Sequence, residues 1–295
     1  MMFGFRVGAA TDTGVARDAN QDSYATAARL AVVADGVGGH LGGEVASSLA
    51  VQEVVVRFDQ PDLGVLVDAV EHANRRILDT AAADPTLHHM GTTVVALGLI
   101  DVPEGLALGA INVGDSRMYR LTGDSPRVLE QLTEDHSLVE AMVREGRLTP
   151  EQAEVHPQRN IVTRALGVVE HVEVDSFHFI PKLGDRYLLC SDGLFNEVPA
   201  QDIAEMLARI DDPQEAAEAL IAAANAGGGR DNITTVIVDI VDADKAELPA
   251  ADAAFASDAI IDGDPTPVDP DDDAVAFDVP ENVPGAKNQR WSWRR

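Results

Sequence analysis

The chain has 295 residues, enough for one large domain with a tail or for two modest domains. Its formal net charge of −28 argues against a general nucleic-acid grip, because that needs basic patches to displace counterions. Apolar residues make up 45%, which supports an ordinary core, but aromatics only 4%, so Val, Leu, Ile and Ala must fill it.

Phe5 to Ala10 and Leu30 to Ala34 read as strands around a polar loop, Thr11 to Asp22. Glu44 to Phe58 has helical spacing of apolar residues, and Leu63 to Ala83 is a second helix with Asp62 as N-cap. Strands follow at hairpin spacing over Thr92 to Ile100, Leu106 to Val113 and Arg117 to Leu121, with a fourth at Val128 to Leu132. His136 to Glu145 is a short helix ending at Gly146. Thr149 caps another, with Pro150 at its first position. Val174 to Ile180 and Arg186 to Cys190 are strands joined by a Lys-Leu-Gly-Asp turn. Helices over Ala200 to Arg209 and Pro213 to Ala224 precede a last strand, Ile233 to Ile240. Antiparallel strands with helix pairs inserted between them predict an α+β domain of two packed sheets with helices outside.

The composition changes near Val241, so residues 1–242, where apolar periodicity is nearly continuous, are read as one folded domain. Residues 243–295, rich in Asp, Ala and Pro, are read as an acidic tail that cannot bury enough apolar surface to offset its ordering entropy. The Arg290-Trp291-Ser292-Trp293-Arg294-Arg295 end reads as an ordinary terminus, a short docking peptide or a membrane-surface contact. The single Cys190, in an apolar run, is a core thiol and not a nucleophile. There is no apolar run of about 18 residues and no signal-type stretch at the N-terminus, so a cytoplasmic protein without a membrane span is expected.

The chemistry lies in four Asp-bearing turns: Asp35-Gly36, Gly114-Asp115, Asp192-Gly193, and Asp231 after a glycine run. Each follows an apolar strand or a helix. Hard divalent cations such as Mg²⁺ and Mn²⁺ take carboxylate, carbonyl and water oxygens. A short Asp on a rigid strand end places its oxygens accurately, and glycine beside it lets the backbone approach an ion. One Asp-Gly is an ordinary hairpin turn; several in one domain, each after an apolar element, are a site. A fifth element, the loop Thr11 to Asp22, carries Arg17, whose guanidinium fork matches phosphate oxygens.

Several motifs stand in order along the chain. They are Thr-Asp-x-Gly-x-x-Arg-x-x-Asn-Gln-Asp at 11–22, Ala-Asp-Gly-x-Gly-Gly-His at 34–40 and Gly91-Thr92-Thr93. Gly114-Asp115-Ser116-Arg117, Ser191-Asp192-Gly193-Leu194 and Asp231-Asn232 follow. Over residues 5–240 this resembles the bacterial branch of the type 2C, metal-dependent (PPM) protein serine/threonine phosphatases. The stretch His156 to Gly167 resembles the flap of bacterial members and its return strand.

The resemblance implies a four-layer αββα sandwich with a cleft at one edge. It implies that Asp35 bridges two Mn²⁺ or Mg²⁺ ions, with the Gly36 carbonyl serving the second. Asp192 and Asp231 would hold the first ion, and Asp115 with Asp192 a third ion seen in bacterial relatives. Asp22 would stand behind the ligands and orient water, and Arg17 would grip the substrate phosphate. Two ions about 3.5–4 Å apart lower the pKa of a shared water, which then attacks phosphorus in line with the leaving serine or threonine oxygen. The implied partners are phosphorylated proteins, serine/threonine kinases and their substrates among them, met by a monomer.

The alternatives are a phosphatase-like binding module without turnover and a hydrolase of small phosphoesters with the same fold. Retention of all four turn aspartates argues against the first. Position 21 is Gln where relatives often have Glu. Val37 stands where the eukaryotic branch has a histidine after Asp-Gly, so no general acid carries over. His40 is a turn residue or a contact of the site. Arg230 contacts phosphate or pairs with a surface acid. Ser116 and Ser191 lack a base and read as turn hydroxyls. His136, His156, His171 and His178 read as flap or surface residues, and Asn232 as a residue that hydrogen-bonds its own turn.

Overall fold

The computed structural model describes residues 3–38, 42–123, 127–243, 246 and 252–254. His40 and most of the acidic segment, with its Trp/Arg end, lie outside the described residues.

Two antiparallel sheets stack face to face. One has the order β1 (Phe3–Asp12), β11 (Ile233–Asp242), β10 (Arg186–Cys190), β7 (Arg117–Leu121), β8 (Leu129–Gln131). The other runs β12 (Asp252–Ala254), β2 (Asp22–Ala27), β3 (Leu30–Val37), β5 (Val94–Val102), β6 (Gly105–Val113), β9 (Asp175–Phe179), with β4 (Gly91–Thr92) paired to β3. Helices α1 (Gly42–Arg57) and α2 (Leu63–Ala83) cover the second sheet, and α6 (Ala200–Arg209) and α7 (Pro213–Gly227) cover the first. This is the four-layer sandwich anticipated from the pattern of elements.

The layers follow from the two-residue period of a strand. On β3, Leu30, Val32 and Ala34 pack under α1 and α2, while Ala31 and Val33 face the other sheet. On β10, Tyr187 and Leu189 face inward, and Leu188 and Cys190 pack under the helices. Strands buried on both faces read as unbroken apolar runs, which is why β3 and β10 are plain in the sequence.

Four details differ from the expectation. The strand expected over Thr92 to Ile100 is broken at Thr93, whose N–H leaves the ladder to bond Asp35 O at 2.9 Å. The helix expected over His136 to Glu145 spans Leu138–Arg144 (α3), because Ser137 takes the cap position and accepts the Glu140 N–H. The polar loop expected to reach Asp22 gives way there to β2. Within the segment expected to lack structure, Asp252–Ala254 pairs with β2. Backbone hydrogen bonds to an open sheet edge need no apolar side chains, so composition did not forecast that strand. As expected, Asp62 caps α2, accepting from Gly64 N at 2.7 Å, and Thr149 forms a capping box with Gln152 at α4 (Pro150–Glu154).

Candidate active site

The site is the polar rim of the inter-sheet core. Continuing the inward series of each strand by two residues gives its side chains. Ala31 and Val33 lead to Asp35, and Tyr24 leads back to Asp22. Val95 leads back to Thr93, Met118 to Ser116, and Tyr187 and Leu189 forward to Ser191. Register then brings strand ends together: Asp22 pairs directly with Asp35 across β2 and β3.

Two hydrogen bonds tie the rims of the two sheets. Ser191 Oγ donates to Asp22 Oδ2 at 2.7 Å while accepting the Thr234 N–H at 3.0 Å. Thr93 Oγ1 and Ser116 Oγ are hydrogen-bonded at 2.7 Å, and Thr93 Oγ1 also accepts the Asp35 N–H at 3.0 Å. Thr92 Oγ1 donates to Asp35 O at 2.8 Å. Asp35 is therefore held through its backbone by both threonines, and among the described residues no hydrogen-bond donor meets its carboxylate. Gly36 lies against the start of α1, where a Cβ would stand 2.2 Å from Gly43 O. Only glycine admits that approach.

Asp192 is the first residue of a four-residue helix, α5 (Asp192–Phe195), where a plain turn was expected, and it accepts from Asn196 Nδ2 at 3.0 Å. Asp231 ends the glycine run. Asn232 beside it does more than brace its own turn. Its side chain accepts the Gln21 N–H at 2.8 Å and donates to Thr13 O at 2.9 Å and Ala19 O at 2.8 Å. The loop bearing Arg17 is thus threaded through Asn232. Val15 and Ala16 N–H add bonds to Gly229 O at 2.7 and 3.0 Å. Arg17 Nη2 meets Asp231 Oδ2 at 2.9 Å, both side chains being half-exposed. Arg230 turns away from the site and pairs with Glu197, Nε to Oε1 at 2.7 Å, so it is the structural partner of an acid.

The electrostatics are those of crowded acids. Burial first, then neighbouring carboxylates, push Asp22 up to about 7, Asp115 to about 8 and Asp192 to about 6. Asp35 is raised well above the carboxylate range by burial and by Asp22, Asp192, Asp115 and Asp231 together. Burial opposes the charge of Arg17, but Asp231 and, more weakly, Asp35 and Asp192 outweigh it and raise its pKa. This set of oxygen donors with so little positive charge facing it fits hard divalent cations. Among the described residues, no three His, Cys, Asp or Glu side chains form a ready-made metal cage. Backbone carbonyls such as that of Gly36, and water, complete such shells for Mg²⁺ and Mn²⁺.

Sequence reasoning missed Thr93 as a support of Asp35, and it missed the reach of Asn232. It also placed His136 on the flap or surface, whereas the ring is buried and accepts the Gly114 N–H.

The comparisons with known proteins agree with this geometry. The family profile described as "Protein phosphatase 2C" matches residues 15–224. The serine/threonine protein phosphatase PstP of Mycobacterium tuberculosis is 42% identical over 243 residues, 81% of this chain and 46% of PstP, so the chain spans about half the length of that relative. The serine/threonine phosphatase stp of Listeria innocua is 39% identical over 242 residues, 78% of this chain and 93% of stp. A crystal structure of the PstP catalytic domain in complex with two manganese ions superposes with a TM-score of 0.72 at 39% identity, covering 82% of this chain and 100% of that one. Similarity of that extent in both sequence and fold, with the polar rim in the motifs that first suggested it, leaves one assignment: the chain belongs to the protein phosphatase 2C family.

Proposed function

We propose that this chain is a metal-dependent protein serine/threonine phosphatase that hydrolyses phosphoserine and phosphothreonine in proteins, serine/threonine kinases and their substrates among them. The observation that carries the reading is the convergence of Asp22, Asp35, Asp115, Asp192 and Asp231 at one sandwich edge, with Arg17 facing Asp35, Asp192 and Asp231. The relatives named as serine/threonine phosphatases, and the one solved with two manganese ions, support the substrate class and the metal.

Bound Mn²⁺ or Mg²⁺ ions would supply an activated water and neutralise phosphoryl charge. The chain's own residues do the rest. Asp35, the Gly36 carbonyl, Asp192 and Asp231 would hold two ions, and Asp115 with Asp192 a third. Asp22, fixed by Ser191, would stand behind them and orient water. Arg17 is already aimed by the Asn232-bound loop; on substrate entry its fork exchanges Asp231 for phosphoryl oxygens and stabilises the charge that grows there. Cys190 is buried with its pKa pushed up, so it is no thiolate nucleophile.

The catalytic unit in this reading is residues 1–242, acting as a cytoplasmic monomer. No helix among the described residues is long and apolar enough to cross a membrane. The test is phosphate release from a phosphothreonine peptide with Mn²⁺ and with chelator. Turnover that needs the metal supports the reading. Metal binding without turnover indicates a binding module, and faster turnover of small phosphoesters than of phosphopeptide indicates a small-molecule hydrolase.

A further inference from the structure

His136 stands outside the carboxylate set yet touches it from behind, and it is 6% exposed. Its Nδ1 accepts the Gly114 N–H at 3.0 Å, and its own backbone N–H donates to Gly114 O at 3.0 Å. Two bonds thus clasp the residue just before Asp115. Gly114 has φ +107°, and a Cβ there would lie 2.5 Å from Thr93 Cγ2, so the turn has one narrow conformation.

With Nδ1 an acceptor, the neutral ring carries its proton on Nε2. Nε2 lies 3.1 Å from Asp175 Oδ2, and Arg164 Nη1 donates to Asp175 Oδ1 at 2.7 Å. Arg164 Nη1 is also 2.9 Å from Nε2, but both nitrogens carry hydrogen, so Asp175 is the acceptor they share. The far side of His136 is the base of the flap. Thr163 N–H donates to His136 O at 2.7 Å, Ser137 bridges Val162, and Arg164 follows directly.

We propose that His136 is a positioning residue that couples the flap base to Asp115: Arg164 and Asp175 fix the tautomer and plane of its ring, and the ring fixes the Gly114 N–H and with it the direction of the Asp115 carboxylate. The inference rests on reading Asp115 as a cation ligand. A residue that orients a ligand from behind in this way commonly alters metal affinity on mutation even when the fold survives.

Asparagine and glutamine separate the two ends of the ring. The amide oxygen of Asn reaches about as far as Nδ1, and the amide of Gln about as far as Nε2. His136→Asn therefore keeps the acceptor for Gly114, whereas His136→Gln keeps only the reach to Asp175. The measurements are Mn²⁺ binding to the full chain by titration calorimetry, thermal melting, and turnover of a phosphothreonine peptide. His136→Gln is expected to weaken the weakest Mn²⁺ site about ten- to a hundredfold, while His136→Asn stays within about threefold of wild type. Asp175→Ala, at a half-exposed strand residue, is expected to fold and to lose about three- to tenfold by freeing the ring. Equal losses in the Asn and Gln variants, or lowered melting temperatures with unchanged Mn²⁺ affinity, overturn the proposal. If His136→Gln does not fold, unchanged affinity in Asp175→Ala overturns it. Should the wild type bind Mn²⁺ but release no phosphate, the phosphatase reading fails, and the affinity comparison still judges His136.

Discussion

Asn232→Ala removes one side chain but strips partners from three backbone groups of the Arg17 loop: Gln21 N–H, Thr13 O and Ala19 O. Asn232 is 6% exposed, so water replaces these bonds poorly. At a net ~0.5–1.5 kcal/mol per hydrogen bond, the loss is about 2–4 kcal/mol. For a domain of this size, a kcal/mol corresponds to roughly 2–4 °C, so the melting temperature should fall by about 5–15 °C. Activity should fall further than stability. At a temperature where the variant is fully folded, Arg17 and Asp231 lose their common brace, and kcat/KM for a phosphothreonine peptide should drop by about 10² or more. Thermal melting with steady-state kinetics at saturating Mn²⁺ checks both. A variant that melts within about 2 °C of wild type with unchanged kcat/KM would refute the view that Asn232 organises the loop.

Arg17→Ala should leave stability nearly untouched, because a half-exposed ion pair is worth under about 1 kcal/mol, yet lower kcat/KM at least tenfold; a melting shift without a kinetic effect would contradict its phosphate role. Ser191→Ala leaves the buried Asp22 carboxyl and the Thr234 N–H short of a partner and should cost about 1–3 kcal/mol while metal-dependent turnover persists; complete loss of turnover in a fully folded variant would point to a nucleophile instead. The raised carboxyls give a pH signature. In the metal-free fold, Asp192, Asp22 and Asp115 at about 6, 7 and 8 hold protons that the unfolded chain has released, so stability should decline as pH rises from about 4 through 8. Cations bind the ionised form, so the rise in melting temperature on adding Mn²⁺ should be larger at pH 8 than at pH 6; an equal or smaller rise at pH 8 would argue against binding at these acids.

Much of this was legible in the sequence because the sandwich writes itself in period two. Val32 and Val33 declare β3 buried on both faces, and the aspartate that ends the run must then stand at a rim. β2 was not legible. Ser23 and Thr26 break its apolar run, and the buried Ser23 hydroxyl finds partners in Ser47 and Ser48 of α1 at 3.0 and 3.3 Å, more than 20 residues along the chain. Asn232 has the same character: local chemistry assigns Asn to its own turn, while its partners lie more than 200 residues away. His136 sits in the polar run Thr133-Glu134-Asp135-His136-Ser137, which reads as surface. Its burial depends on the backbone N–H of Gly114, which no side-chain pattern reveals. Thr93 was the recoverable miss, since counting back by two from Leu97 and Val95 lands on the inward face.

The central claim is that Asp35 ties divalent cations to phosphate-ester hydrolysis, and one comparison tests it most directly: wild type and Asp35→Asn on a phosphothreonine peptide, each with Mn²⁺ and with chelator. Because Asp35 is crowded by like charges, the variant should melt no lower than wild type in chelator. The account predicts wild-type turnover that vanishes with the metal, and a loss of about a thousandfold, roughly 4 kcal/mol of barrier, in Asp35→Asn with Mn²⁺ present. Wild-type turnover indifferent to chelator, or an Asp35→Asn protein that keeps its rate in Mn²⁺, would contradict it.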